Sequence, residues 1–221
     1  MCKTVKIAID GPSGAGKSTI AKLLARALGY VYLDTGAMYR AIALKADAAG
    51  CLPQESERLA YVLENTEIRI GYRDDAMHIS VDGVDVSEKI REHRVSKLAS
   101  DFSALKSVRL KLVDMQRRLS SAANTVLDGR DIGTFVLPDA DYKFYLTASA
   151  EERAKRRSLE LERRGQPCAY EQVLADIRQR DRQDTEREFA PLRKAPDAKE
   201  IDSTNLTIEQ VVAEMLQAIG E

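Results

Sequence analysis

Short apolar runs bounded by turn residues alternate along this chain with longer segments of helical period. "VKIAID" (Val5 to Asp10) reads as a buried strand, and "STIAKLLARALG" after it as an amphipathic helix that Gly29 is placed to end. "VYLD" (Val31 to Asp34) is a second strand and "AMYRAIALKADAAG" a second helix. Strand then helix, repeated, predicts a parallel sheet with helices on both faces. The middle departs from this rhythm. "EIRIGYRDDAMHISVDGVDV" (Glu67 to Val86) alternates with period two and carries turn residues at Asp74-Asp75 and Asp82-Gly83. That is a hairpin pattern, so a small antiparallel sheet is expected as an insert.

A helix over roughly 107–121 follows, and then the first rhythm resumes. "TVLD" (Thr125 to Asp128), "YKFYL" (Tyr142 to Leu146) and "KEID" (Lys199 to Asp202) complete five expected strands. "SAEE" (Ser149 to Glu152) and "TIEQ" (Thr207 to Gln210) have the capping-box spacing that opens a helix.

Composition narrows the function classes. A chain of 221 residues can bury one sizeable core, and its net charge of −1 creates no global field for nucleic acid or an anionic membrane. No apolar run approaches the ~18 residues of a membrane span. "MCKTVKIAID" enters a strand pattern without the layout of a signal peptide. Cys2, Cys51 and Cys168 match neither a disulfide framework nor a zinc site, so a cytoplasmic setting is expected. Arginine is the exception to this ordinary balance. There are 21 Arg against 13 Lys, with ten of the arginines between Arg153 and Arg193, and guanidinium grips phosphate bidentately.

"GPSGAGKST" supplies the first chemistry. Gly11, Gly16, Lys17 and Ser18 fit G-x-x-x-x-G-K-[ST] between a strand and a helix, the setting a phosphate cradle requires. Backbone N–H groups along Gly11, Pro12, Ser13, Gly14, Ala15, Gly16, Lys17, Ser18 and Thr19 would surround a polyphosphate (Pro12 lacking one), with Lys17 reaching the β- and γ-phosphates. Ser18 or Thr19 would offer a hydroxyl toward Mg²⁺. The chain has no Asn-Lys-x-Asp guanine reader, and Gly129 rather than Glu follows Asp128. A switch GTPase and a motor-type ATPase are therefore disfavoured, and small-molecule kinases remain.

Such a kinase needs a site for an anionic acceptor. In "LDTGAMYRA" (Leu33 to Ala41), Thr35 lies in the loop, Tyr39 can pack on a base and Arg40 can hold a phosphate. In "DGRDIGT", Asp128 ends an apolar strand where a carboxylate can hold Mg²⁺ or its water shell. Arg130 suits an acceptor phosphate, and Asp131 would accept from an amino group. "RDRQDTER" places Arg180, Asp184 and Arg187 on one helical stripe, suited to phosphate and ribose hydroxyls or equally to an exposed salt-bridged face. "EERAKRRSLELERRG" puts Arg153, Arg156 and Arg157 on a helix before Gly165, an arrangement expected of a flap over the phosphates.

Taken together, "IAIDGPSGAGKST", "YLDTGAMYRA", "LDGRDIGT", "ERAKRR" and "RDRQDTER" resemble the bacterial cytidylate kinase family across nearly the whole chain. The resemblance implies a P-loop kinase of α/β class, a five-stranded parallel sheet flanked by helices with an inserted antiparallel domain that binds the nucleoside monophosphate (NMP) and a short helical lid. It implies a division into core (1–35), NMP-binding insert (36–105), core (106–152), lid (153–168) and core (169–221). It implies transfer of the ATP γ-phosphate to CMP or dCMP with Mg²⁺, by a monomer that engages neither nucleic acid nor membrane. Ser100, Arg109 and Asp131 map onto the base readers, Arg40 and Arg130 onto the acceptor-phosphate arginines, Arg180 and Asp184 onto ribose contacts, and Arg187 nearer the phosphates. Thr35 replaces a serine found in some members. Lys17, Arg130, Arg156, Arg157 and Arg187 are the expected catalytic cations, with Ser18 and Asp128 toward the metal. Two readings compete. One is a P-loop kinase of UMP, AMP, thymidylate or a non-nucleotide acceptor, and the other is a nucleotide-binding regulator that contacts RNA through its arginine helix. The neutral net charge and 5% aromatic content weigh against the second.

Overall fold

Five short strands assemble in the order β2-β6-β1-β7-β8: β1 (Lys6–Asp10), β2 (Val31–Asp34), β6 (Thr125–Gly129), β7 (Tyr142–Thr147) and β8 (Lys199–Asp202). The computed structural model describes residues 4–73, 76–163 and 165–220. β1 pairs in parallel with both β6 and β7, Ile9 lying opposite Asp128 and Phe144, and β7 pairs in parallel with β8. The central strand is apolar on both faces, and Ile7, Ala8 and Ile9 are all buried, as a strand covered on both sides requires.

The elements gather into two units, residues 4–32 with 123–220 and residues 33–122. In the first, α1 (Lys17–Leu28) turns Ile20, Ala21, Leu24 and Ala25 inward, where they meet Ile7, Val126, Phe144 and Met215. Gly29 at φ 66° ends that helix, while the Tyr30 N–H donates to Ala25 O at 2.8 Å, a close only glycine adopts without strain. Of the two expected capping boxes, one forms in full and the other by half, the Ser149 N–H donating to Thr204 Oγ1 instead of to Glu152. The Ser149 hydroxyl accepts from the Glu152 N–H as α6 (Ala150–Arg163) begins, and Thr207 and Gln210 form a full capping box at α8 (Ile208–Ile219). α6 packs on α7 (Tyr170–Glu186) around Ala154, Leu161, Val173 and Ile177. Among the described residues no helix is long and apolar enough to cross a membrane.

The second unit carries α2 (Thr35–Ala48), α3 (Glu57–Glu64), α4 (His93–Ser103) and α5 (Lys106–Ser121). It also holds the expected antiparallel sheet, β3 (Ile68–Arg73), β4 (Ala76–Val81) and β5 (Val84–Asp85). Asp82 and Gly83, at φ 50° and 82°, form the two-residue turn between β4 and β5. Asp82 also accepts from the Glu67 N–H at 2.8 Å and pairs with Lys45 at 2.8 Å, so its side chain locks the turn it occupies. The other expected turn, Asp74-Asp75, lies outside the described residues. Sequence periodicity had not marked α3 or α4, and α5, expected with the core, groups with α2, α3 and α4.

Candidate active site

The phosphate loop runs from Gly11 to Lys17 between β1 and α1. Gly11 sits at φ +149°, and a Cβ there would lie 1.9 Å from Leu146 O, so no side chain fits. Gly14 (φ +77°) is closed in by the Arg153 backbone, whereas Gly16 (φ +88°), the N-cap of α1, faces open space. The first N–H groups of α1 have no intrahelical acceptor and carry the positive end of its dipole. Lys17 is buried at the first helical position, and its ammonium donates to Pro12 O at 2.6 Å. Burial, and then the Arg130 guanidinium, hold its pKa well below the ordinary lysine value against the opposing pull of Asp128 and Asp184. A buried cation in that state gains most from an anion brought beside it.

Arg153 braces this loop from below. Its Nη1 donates to Ser13 O at 2.9 Å, its Nε to Ala148 O at 2.9 Å, and its two terminal nitrogens grip Asp181 at 3.0 and 2.6 Å. Arg153 is therefore a buried strut, not a flap residue. Arg156 donates to Ser203 Oγ and O at 3.1 and 2.7 Å and to Glu152 at 3.1 Å, while Arg157 pairs with Glu160 at 2.8 Å.

At the end of β6, Asp128 is buried and accepts from two hydroxyls. Ser18 Oγ donates to one carboxylate oxygen and Tyr32 OH to the other, both at 2.8 Å. A carboxylate beside a serine hydroxyl is a hard-oxygen pair of the kind Mg²⁺ accepts. Among the described residues no cluster of three or more His, Cys, Asp or Glu is poised to hold a metal.

Beyond Asp128 the chain turns. Arg130 donates through Nε to Asp184 Oδ2 at 2.8 Å and through Nη1 to Gly129 O at 3.2 Å. Arg187, just past the end of α7, lies 3.6 Å from Asp131 Oδ1 and 3.7 Å from Asp184 Oδ1, and its Nε donates to Ala190 O at 2.7 Å. Burial works against charge at both Arg130 and Asp184. Their mutual attraction outweighs it, so Arg130 is held above and Asp184 below the ordinary range. Arg180 and Arg187 add to the pull on Asp184. The structure thus brings Arg130, Asp131, Asp184 and Arg187 into one buried, alternating charge cluster.

Asp10, the last residue of β1, underlies the same turn. Its two carboxylate oxygens accept from the Ile132 N–H at 2.8 Å and the Gly133 N–H at 2.7 Å. Burial pushes its pKa up to about 7 although both N–H bonds favour the ionised form. Residues Ile132–Val136 form a single π turn, in which the Val136 N–H reaches back to Asp131 O.

In the second unit, Asp34 caps α2 by accepting from the Ala37 N–H at 2.8 Å and pairs with Arg40 at 3.2 Å. Arg109 is buried with its guanidinium 5.3 Å from the centre of the Tyr39 ring, and it donates to Ser103 O at 3.1 Å. Ser100 is buried on the same helix as Ser103, whose hydroxyl donates to Ser100 O at 2.9 Å, and Thr35 is buried at the start of α2. The sequence reading missed Asp10, Tyr32, Asp34, Asp181 and Ser203. Asp10 and Asp34 had a detectable signature, a lone carboxylate ending an apolar strand. The other three partners come from distant segments and left none.

A glycine-closed phosphate loop on a five-stranded parallel sheet, with a carboxylate at the neighbouring strand end, defines the P-loop kinase class. Solved structures agree on the fold. A gluconokinase from Sinorhizobium meliloti 1021 (TM-score 0.51, 14% identity) covers 100% of this chain and 94% of its own. A shikimate kinase from Bacteroides thetaiotaomicron (TM-score 0.51, 13% identity) covers 98% and 99%. The sequence is more specific. Residues 7–221 match the family described as cytidylate kinase. The cytidylate kinases of Caldicellulosiruptor saccharolyticus and Citrifermentans bemidjiense are 55% and 50% identical over 97% and 98% of this chain, and over 95% and 93% of their own lengths. The chain belongs to the cytidylate kinase family.

Proposed function

We propose that the protein transfers the γ-phosphoryl group of ATP to CMP or dCMP, yielding ADP and CDP or dCDP. The phosphate loop from Gly11 to Thr19 binds the donor, and Lys17 balances charge on its β- and γ-phosphates. Ser18 and Asp128 would hold Mg²⁺, directly or through water, and the ion would supply positive charge beside the phosphates. Arg130, Arg40 and Arg187 hold the acceptor phosphate, and Arg180 and Asp184 its ribose. Arg156 and Arg157, on the lid helix beyond the Arg153 strut, release their present partners to cover the transferring group. The reaction needs no covalent intermediate, because the acceptor phosphate oxygen attacks the γ-phosphorus in line while the protein positions and neutralises.

Asp131, Arg109 and Ser100 account for base choice, the Tyr39 ring packs on the base, and Thr35 contributes a hydroxyl to substrate binding. Cytosine presents an N4 amine beside an N3 acceptor, whereas uracil reverses both. A carboxylate from Asp131 satisfies the amine and opposes the uracil carbonyl, at a cost of about 1–3 kcal/mol per mismatched group. ATP and CMP are cytoplasmic pools, and we place the enzyme there as a monomer acting on small molecules alone.

The observation carrying this reading is the buried cluster of Arg130, Asp131, Asp184 and Arg187, alternating cations and carboxylates next to the phosphate loop. ADP formation from ATP and Mg²⁺ with CMP, dCMP, UMP, AMP and dTMP in turn tests it. The two cytidine nucleotides should give the highest kcat/KM, and preference for another acceptor would refute the assignment.

A further inference from the structure

The strand that opens the donor loop also carries a buried carboxylate that the proposed chemistry leaves unused. Asp10 precedes Gly11 directly, and its side chain grips the turn after β6. Two N–H groups in succession, from Ile132 and Gly133, meet its two oxygens at 2.8 and 2.7 Å. That turn begins with Arg130 and Asp131. The space around it is tight, since a Cβ on Gly133 would lie 3.2 Å from Lys143 Cδ and 3.4 Å from Asp10 Oδ2.

We propose that Asp10 is a positioning residue for the acceptor nucleotide: its carboxylate fixes the Ile132 and Gly133 amides, and through them the Arg130–Asp131 turn, against the end of β1. Burial of a group that works as an anion opposes stability, so the proteinʼs geometry is kept at a thermodynamic cost. The charged and titratable groups acting on it are Lys17 from α1, Asp131 from the turn and Tyr145 from β7. With a carboxyl pushed up to about 7 against 3.8 in the open chain, the native state keeps a proton that the unfolded chain has already released. Stability contributed by Asp10 therefore falls as pH rises across that interval, and an uncharged side chain escapes the loss.

The inference rests on the proposed CMP kinase reading for its kinetic arm alone. Asp10→Asn keeps one acceptor and removes the charge. At pH 8 it should melt no lower than wild type, raise KM for CMP about tenfold and leave KM for ATP within about twofold, the tenfold being one lost charged hydrogen bond. Equal rises in both KM values, or an unchanged KM for CMP, would overturn it, as would a lower melting temperature accounting for the loss. Amide NMR of the wild type supplies an arm independent of catalysis and of the variant's folding. The Ile132 and Gly133 N–H resonances should titrate together with a midpoint near 7. Absence of a shared titration would refute the grip, whereas failure of the nucleotide panel with intact titration would refute only the kinase reading.

Discussion

Replacing Asp184 with Asn removes one negative charge from among buried guanidinium groups. Asp184 lies 2.8 Å from Arg130 Nε and 3.7 Å from Arg187 Nη1, and it is 5% exposed. At an effective dielectric constant of about 20 these separations correspond to gross attractions of about 6 and about 4 kcal/mol. Desolvation offsets much of that, and breaking a buried pair costs about 3–5 kcal/mol. Asn retains an oxygen for Arg130, so the lower figure applies, and a melting point lower by on the order of 10 °C follows. The loss should be uniform from pH 8 to pH 5. Asp184 has a depressed pKa, so its contribution is complete above 3.8 and disappears as pH falls through the still lower folded value. Inorganic phosphate, which resupplies negative charge, should raise the melting point of Asp184→Asn more than that of wild type. Scanning calorimetry with and without phosphate measures both. Equal melting points and equal phosphate responses would show that the cluster is not held by Asp184.

The other predictions are more local. Lys17→Ala should lower kcat by about 10²- to 10³-fold while CMP affinity by calorimetry stays within about twofold, the pattern of a charge needed mainly in the transition state. Asp131→Ala should reduce the CMP-to-UMP ratio of kcat/KM by about tenfold, read from paired steady-state assays. Gly11→Ala must displace Leu146 or the loop, since its Cβ would sit 1.9 Å from Leu146 O, and should abolish ATP binding. Gly16→Ala meets no atom within 4 Å and should cost only the strain of a positive φ, about 1–2 kcal/mol in chemical denaturation.

What could be read from the sequence follows from how local each signal is. The phosphate loop is one continuous stretch whose glycines, lysine and serine have roles fixed by spacing. Asp128 was legible as the polar end of an apolar strand, and the Asp82-Gly83 turn formed with both residues at positive φ as its type requires. α4 was not legible, because "HRVSKLASDFS" mixes serines and charges with few apolar residues and owes its helix to packing against α2. The arginines show the same limit most clearly. Arg153, Arg156 and Arg157 look equivalent on one helix, yet Arg153 reaches Ser13 and Asp181 from beneath the loop while Arg157 pairs with Glu160 only three residues away. Which arginine becomes a strut depends on partners up to 140 residues distant. The pairing of Asp131 with Arg187 and of Arg130 with Asp184 also joins distant segments, although every member was recognisable as a candidate.

The central claim is that cytosine is read by Asp131 while Arg130 holds the phosphate of the same molecule. A crystal structure with CMP tests this directly. The cytosine N4 should lie within about 3.2 Å of the Asp131 carboxylate, with the Arg130 guanidinium on the CMP phosphate. A nucleotide bound with both residues turned away from it would contradict the account.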